Sequence, residues 1–465
     1  MLNTPQNHTL TSPDTDNRNR GLILFLIGLL GVVFFYKDHN LFLSLNEFWT
    51  GWEEGDNLAS GGNALKGLAL SSFWFVGVYL IFLRPGGARL QLDSSLGFLM
   101  LFYVLWCTMS VLWAEARGMT LRQLAVLYFM VTCGIGIARH LRIRDIALIA
   151  FIIFGSFALI GLLLELALGT FRPWQEGYRF AGTVHPNAQG AALCVFGLSG
   201  ICLLKSGVRR RKLVMTALIC GIGLLLLTKS RTSTGGFLFG ASALWLVQSS
   251  RAFKLFSTLG ICWLLLIGLL GLLFMGIDPM HDLQEVVLMG RGEESEALTG
   301  RLPIWIEMTN YINQRFWTGY GYQSFWHPDK IEVLSEELNW TFRESHSSFI
   351  DGMLTIGFIG TASLFLVAFK GFLEARRKFV ATADPGYAFV IGLLAFGLVN
   401  AFMESGMIAT SLDTLLLGTC LARIAFWERS APATRSLTSQ MNIHTMLESM
   451  IPANPSEYAR EGGKG

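Results

Sequence analysis

The sequence predicts an all-α polytopic membrane protein with about twelve transmembrane helices and one large extracytoplasmic loop. Three observations predict it. Of 465 residues, 52% are hydrophobic and only 15% are charged, against roughly 25% charged in an average soluble domain. The apolar residues fall in long blocks, each near the ~20 residues that carry a helix across a bilayer. The loops between blocks alternate between rich and poor in lysine and arginine. An ordinary soluble enzyme is excluded, and the net charge of +3, spread over many short loops, gives no nucleic-acid footprint.

In order along the chain, apolar windows place helices at 21–36, 68–84, 94–113, 120–138, 146–168, 188–205, 213–228, 235–250, 255–277, 350–369, 387–403 and 406–426. The first has the length of a signal peptide but no small-x-small cleavage site, and it reads as an uncleaved helix. Lysine and arginine concentrate in residues 1–20, in loops 84–93, 139–145, 205–212, 251–254 and 370–386, and in the C-terminal tail. Arg209-Arg210-Arg211-Lys212 is the densest cluster. The positive-inside rule then puts both termini in the cytoplasm. The expected organisation is a disordered cytoplasmic tail (1–20), membrane helices one to nine (21–277), a large periplasmic loop (278–349), helices ten to twelve (350–426) and a cytoplasmic tail (427–465). Within the loop, Ile304, Met308 and Ile312 recur at i, i+4, i+8, which predicts a helix over 303–314. Gly319-Tyr320-Gly321-Tyr322 marks a break after it. No internal repeat is visible.

Several chemistries lack their motifs. There is no GxxxxGK[ST] to cradle a nucleotide, no HExxH and no GxSxG elbow. The eight histidines are scattered, so no cofactor and no metal is expected. All seven cysteines (Cys107, Cys133, Cys194, Cys202, Cys220, Cys262, Cys420) lie in apolar stretches without CxxC spacing, as small apolar side chains do.

Charges at the outer ends of helices stand out instead. Arg179 lies just before the sixth span, Arg231 follows Lys229-Ser230, and Arg301 follows Gly300 in the large loop. Guanidinium groups present a planar fork of donors suited to phosphate oxygens, and the positive-inside rule disfavours them on this side. Lys229 and Arg231, flanked by Ser, Thr and Gly, read as an anion site at a helix end. The anion is a lipid headgroup, a free substrate or a lipid-linked phosphate. His346, where the loop re-enters the membrane, is a candidate base or a structural hydrogen-bonding group. Glu165, Glu404 and Asp413 are the main carboxylates of the spans, with Glu404 at a helix end. Trp49, Trp52, Trp113, Trp174, Trp317 and Trp340 suit an interfacial belt better than sugar-stacking platforms.

His346-Ser347, nine residues, then Gly357-Phe358-Ile359-Gly360 resembles the H-[NSQ]-x9-G-x-x-G signature of the O-antigen ligase and O-antigen polymerase superfamily. Arg179 with Gly182 and Pro186-Asn187, Ser230-Arg231, and Gly300-Arg301 with Ile304-Trp305 stand in the order those proteins show. The resemblance runs from about the third span to the eleventh. It implies a GT-C-like, metal-independent, inverting membrane glycosyltransferase at the periplasmic face of the bacterial inner membrane. The donor would be an undecaprenyl-pyrophosphate-linked glycan and the acceptor a glycan or a lipid A core sugar, with a chain-length regulator and a flippase of the same pathway as further partners. Arg179, Arg231 and Arg301 would bind the pyrophosphate and His346 would take the acceptor's proton. Residues 300–326 look most like the exopolysaccharide polymerases, from which the chain departs at Pro303 and at Thr232.

Two alternatives stay open beside exopolysaccharide or O-antigen polymerisation. One is an O-antigen ligase joining the glycan to lipid A core. The other is a lipid-linked oligosaccharide flippase or proton-coupled permease, which would place its working charges near the bilayer midplane and show repeat symmetry. The predicted topology has a direct check. Alkaline phosphatase fused after Tyr320 should be active and fused after Lys212 inactive, and the reverse pattern would put the arginines on the cytoplasmic side.

Overall fold

The computed structural model describes residues 13–41, 64–249, 296–338 and 344–428. The predicted span at 255–277, the C-terminal tail from 429, and Trp49, Trp52 and Trp340 lie outside the described residues. Thirteen α-helices are described: α1 (Pro13–Asp38), α2 (Ala64–Val78), α3 (Ser95–Met109), α4 (Arg117–His140), α5 (Ile143–Leu168), α6 (Pro186–Lys205), α7 (Arg211–Leu227), α8 (Arg231–Gln248), α9 (Glu296–Gln314), α10 (Pro328–Leu338), α11 (Ser348–Thr382), α12 (Pro385–Met403) and α13 (Leu412–Phe426). Eight of them, α1 to α6 with α11 and α12, are long and apolar enough to cross a membrane. At 17 and 15 residues α7 and α13 are short, and α8 opens on a polar turn.

The ends of the helices follow local chemistry, and several differ from the sequence expectation: α2 starts at Ala64, α8 at Arg231 and α13 only at Leu412. Helix α1 starts at Pro13, so residues 13–20, expected as tail, are helical. Helix α11 continues to Thr382 through the loop expected from 370, because Lys370, Glu374 and Arg377 pair along its face at i,i+4 and i,i+3 spacing. Elsewhere Gly169 closes α5 in the left-handed conformation. Asp384 caps α12 by accepting from the Gly386 N–H, with Pro385 in the first turn.

The core is a layer of apolar side chains shared by α1, α2, α4 to α6, α8 and α11 to α13. Helices α8 and α12 pack closely: a Cβ on Gly240 would stand 2.7 Å from the Gly392 carbonyl oxygen. On the opposite rim Glu428 gathers Tyr387 Oη (2.7 Å), Arg423 Nε (3.2 Å) and Lys378 Nζ (3.7 Å), binding α11, α12 and α13 together.

The predicted helix at 303–314 forms the C-terminal part of α9. Its Ile304 and Met308 are buried with Tyr320, Phe325, Trp326, Leu334 and Leu354. Lys330 fixes α10 to this core, with its amine over Tyr311, Tyr320 and Phe325 at 5.1, 4.7 and 4.7 Å and an ion pair to Glu115 at 2.8 Å.

Helix α11 is broken at Gly357, at φ 66° and ψ −174°, a conformation essentially reserved to glycine. A break strands backbone groups that a buried helix would otherwise pair. The segment after α9 supplies the partners. The Tyr320 and Gly321 N–H groups donate to the Leu354 and Thr355 carbonyls, each at 2.8 Å, and the Phe358 N–H donates to the Phe316 carbonyl at 2.8 Å. Trp106 Nε1 reaches the remaining Ile356 carbonyl at 2.9 Å. The Gly319-Tyr320-Gly321 break seen in the sequence is therefore the piece that fills the break in α11. A Cβ on Gly357 would meet the Trp317 carbonyl oxygen at 2.4 Å, and one on Gly319 would meet the Gly357 nitrogen at 2.6 Å. Gly357→Ala should cost at least about 1–3 kcal/mol and lower the melting temperature in detergent. Gly223→Ala, with nothing within 4 Å of its added Cβ, should leave that temperature unchanged or raised. Equal melting of the two variants would mean the break does not require glycine.

Candidate functional site

Arg179 lies on the segment between α5 and α6, and Glu165 in α5 sets that segment's path. The buried Glu165 carboxylate accepts from Tyr178 Oη at 2.6 Å and from the Ala181 and Gly182 N–H groups at 3.1 and 2.7 Å. From the other side, the Asn40 N–H donates to the Thr183 carbonyl at 2.8 Å, and His39 Nδ1 lies 2.6 Å from Thr183 Oγ1. Held in this way, Arg179 points its guanidinium at the C-terminal end of α7: Nε donates to the carbonyl of Thr228, the cap of that helix, at 2.9 Å. A second nitrogen, Nη2, donates to Asn187 Oδ1 at 2.7 Å.

Three helix N-termini meet around Asn187. It sits in the first turn of α6, where His185 is the cap and Pro186 the first residue. Ser233 of α8 donates its hydroxyl to the Asn187 carbonyl at 3.3 Å, and Ser230 caps α8 directly before Arg231. The third, α11, begins at Ser348, whose N–H and hydroxyl both reach the Glu404 carbonyl, at 3.2 and 2.8 Å. The Glu404 side chain closes the circle, its Oε1 accepting from Asn187 Nδ2 at 2.9 Å. Helix N-termini carry partial positive charge and unpaired N–H groups, so their convergence favours an anion.

His346 stands at the same place, two residues before α11, with φ at 55°. A left-handed conformation is uncommon outside glycine and marks a residue its surroundings hold in place. Its Nδ1 lies between two carboxylates, 3.1 Å from Glu344 Oε1 and 3.7 Å from Glu404 Oε2. These are charge contacts, since no acceptor is aligned with Nδ1. Burial alone would lower the imidazole pKa, but the Glu344 and Glu404 carboxylates outweigh it and hold it up to about 9. One ligand atom each from Glu344, His346 and Glu404 falls within 4.8 Å of the others, a spacing that a divalent cation can also use. The spacing of residues in the sequence does not show this cluster, because Glu404 arrives from the far end of α12.

Of the four site residues expected from sequence, the structure ties Arg179 and His346 into one network and puts Arg231 on the first turn of α8, next to it. Arg301 falls on the backbone of α9, but its side chain lies outside the described residues. Asn187 and Glu404, as the link between arginine and histidine, were missed. The only sequence signal for Glu404 is a carboxylate at a helix end. Trp174 and Trp317 are exposed, as an interfacial belt requires, whereas Trp113 donates its indole N–H to the Thr318 carbonyl at 3.0 Å.

Residues 216–365 match the family described as O-antigen ligase. The matched segment runs from α7 to the middle of α11 and contains Arg231, Arg301, His346 and the Gly357 break, while Arg179, Asn187 and Glu404 flank it. Among curated proteins none matches the chain.

The histidine environment has a measurable consequence. Because the folded protein raises the His346 pKa from 6.5 to about 9, its protonation contributes stability that is complete below about pH 6.5 and is lost as pH rises through about 9. The melting difference between the native protein and His346→Gln should be present near pH 6 and close by about pH 10. A difference independent of pH would contradict the two-carboxylate environment.

Proposed function

We propose that this chain, whose residues 216–365 belong to the O-antigen ligase family, is a membrane glycosyltransferase with twelve spans and GT-C architecture. It works at the periplasmic face of the bacterial inner membrane, with both termini in the cytoplasm. Its donor is a glycan on undecaprenyl pyrophosphate and its acceptor a sugar hydroxyl. The observation that carries this reading is the joining of Arg179 to His346 where three helix N-termini converge.

The arrangement suits an inverting displacement. Pyrophosphate, the leaving group, rests on the N-termini of α6 and α8 with Arg179 and Arg231, which offset the charge that grows as the sugar–phosphate bond breaks. Arg301 is the third expected phosphate contact. The acceptor oxygen attacks the anomeric carbon from the opposite side and its proton passes to His346, whose Nδ1 faces the carboxylates and leaves Nε2 toward the acceptor. Only the neutral imidazole accepts a proton, so transfer by the purified protein should rise from about pH 7 toward pH 9. A rate that falls over that range would oppose His346 as the base. Positive charge from the arginines and helix ends takes the place of a metal ion. Glu344 and Glu404 are engaged with His346, so transfer should survive chelation; loss with EDTA and recovery with a divalent cation would assign the carboxylates to a metal instead.

Residues 300–326 favour polymerisation of exopolysaccharide or O-antigen units over ligation to lipid A core. A permease is the less favoured reading, because two buried carboxylates of apolar helices, Glu165 and Asp351, are each committed to three hydrogen-bond donors. The test is the surface glycan profile of cells carrying variants. Arg179→Ala, Arg231→Ala and His346→Ala should each abolish transfer at normal membrane levels, and Arg231→Lys should restore little, since a point charge lacks the fork. Single repeat units left on the carrier mean polymerase, and full-length chains stranded on it beside bare core mean ligase. Normal polymer in all three alanine variants would dismiss the site.

A further inference from the structure

Between the donor-side arginine and the histidine stand two side chains that the family match does not contain, hydrogen-bonded from Arg179 to Glu404 and closed on His346 by a charge contact. Arg179 Nη2 donates to Asn187 Oδ1 at 2.7 Å, Asn187 Nδ2 donates to Glu404 Oε1 at 2.9 Å, and Glu404 Oε2 lies 3.7 Å from His346 Nδ1. Each member comes from a different element: the segment before α6, the first turn of α6, the C-terminal cap of α12 and the turn before α11. An amide accepts at its oxygen and donates at its nitrogen, so Asn187 can stand between a cation and an anion in only one orientation. Its backbone is anchored as well, by the His185 ring and by Ser233.

We propose that Glu404, oriented by Asn187, is a positioning residue that sets the His346 imidazole toward the acceptor and couples that orientation to the arginine on the donor phosphate. This deepens the transferase reading and rests on it. The anchoring of the helix ends does not depend on the Glu404 carboxylate. Ser348 bonds to the backbone carbonyl of Glu404, and the Glu404 N–H donates to the Asn400 carbonyl at 2.8 Å. Replacing the side chain therefore tests orientation apart from packing. Glu344 also faces His346, 3.1 Å away, but 43% of its side chain is exposed against 18% for Glu404. The better-buried carboxylate, already held at its other oxygen, is the one that can define a direction.

The experiment is a double-mutant cycle on the detergent-purified full chain, with a lipid-linked glycan donor and turnover measured over a range of donor concentrations. Glu404→Gln retains an acceptor for Asn187 and removes the charge facing His346. It should lower kcat at least tenfold with donor KM within twofold of the native value. Asn187→Ala, which cuts the line on both sides, should lower kcat by a similar factor and raise donor KM. The double variant should be within twofold of the worse single variant in kcat, because one line is broken only once. Native kcat in Glu404→Gln, an effect confined to KM, or kcat losses that multiply in the double variant would each overturn the inference. If either single variant fails to accumulate, the kcat of the other decides alone. His346→Ala separates the two levels: an active His346→Ala removes the transferase reading itself, whereas an inactive one beside a native-like Glu404→Gln removes only the coupling.

Discussion

A backbone that leaves its helix in an apolar surrounding must have its polar groups met by the protein itself, and this constraint organises the part of the molecule that holds the candidate site. It operates first at the break in α11, where Tyr320 and Gly321 donate to Leu354 and Thr355 and the helix accepts a glycine conformation in exchange. It operates again at the starts of α6, α8 and α11, where His185 accepts from the Asn187 N–H, Ser230 from the Ser233 N–H and the Glu404 carbonyl from the Ser348 N–H. The first arrangement locks the α9 and α10 segment to the helix that carries His346. The second brings three helix N-termini together and creates a place where negative charge is favoured.

Charge placement then follows from what each side chain must offset. Glu165 is buried in the last turn of α5 and accepts from three donors, so it shapes the Arg179 segment. Glu344 and Glu404 stand in a region enriched in positive charge by Arg179 and the helix ends, and they keep His346 protonated near neutrality. Asn187 links the arginine to the carboxylate, accepting from the one and donating to the other.

Much of this was legible in the sequence, and for definite reasons. Long apolar windows locate helices because a span needs uninterrupted apolar length, whereas their edges moved, in α11 because Lys370 and Glu374 pair along the helix beyond the apolar window. Arg179, Arg231 and His346 were visible as charges at helix ends that the positive-inside rule would leave uncharged. The pair Gly357 and Gly360 was visible as a motif, but its role was not, since the backbone groups that fill the break come from residues 316–321. Glu404 and Asn187 were illegible as partners for the same reason: each is an ordinary polar residue at a helix end, and only the packing of α6 against α12 brings them to 2.9 Å. Local chemistry is readable along a chain, whereas a line of side chains drawn from four elements is a property of the fold.

The most direct measurement is a cryo-electron microscopy structure of the protein with a lipid-linked pyrophosphate glycan bound. The account predicts both phosphates against Arg179, Arg231 and the first turns of α6 and α8, with the anomeric carbon facing His346 Nε2. Pyrophosphate bound at the Arg209-Arg210-Arg211-Lys212 cluster, or a glycan lodged between the spans away from His346, would contradict it.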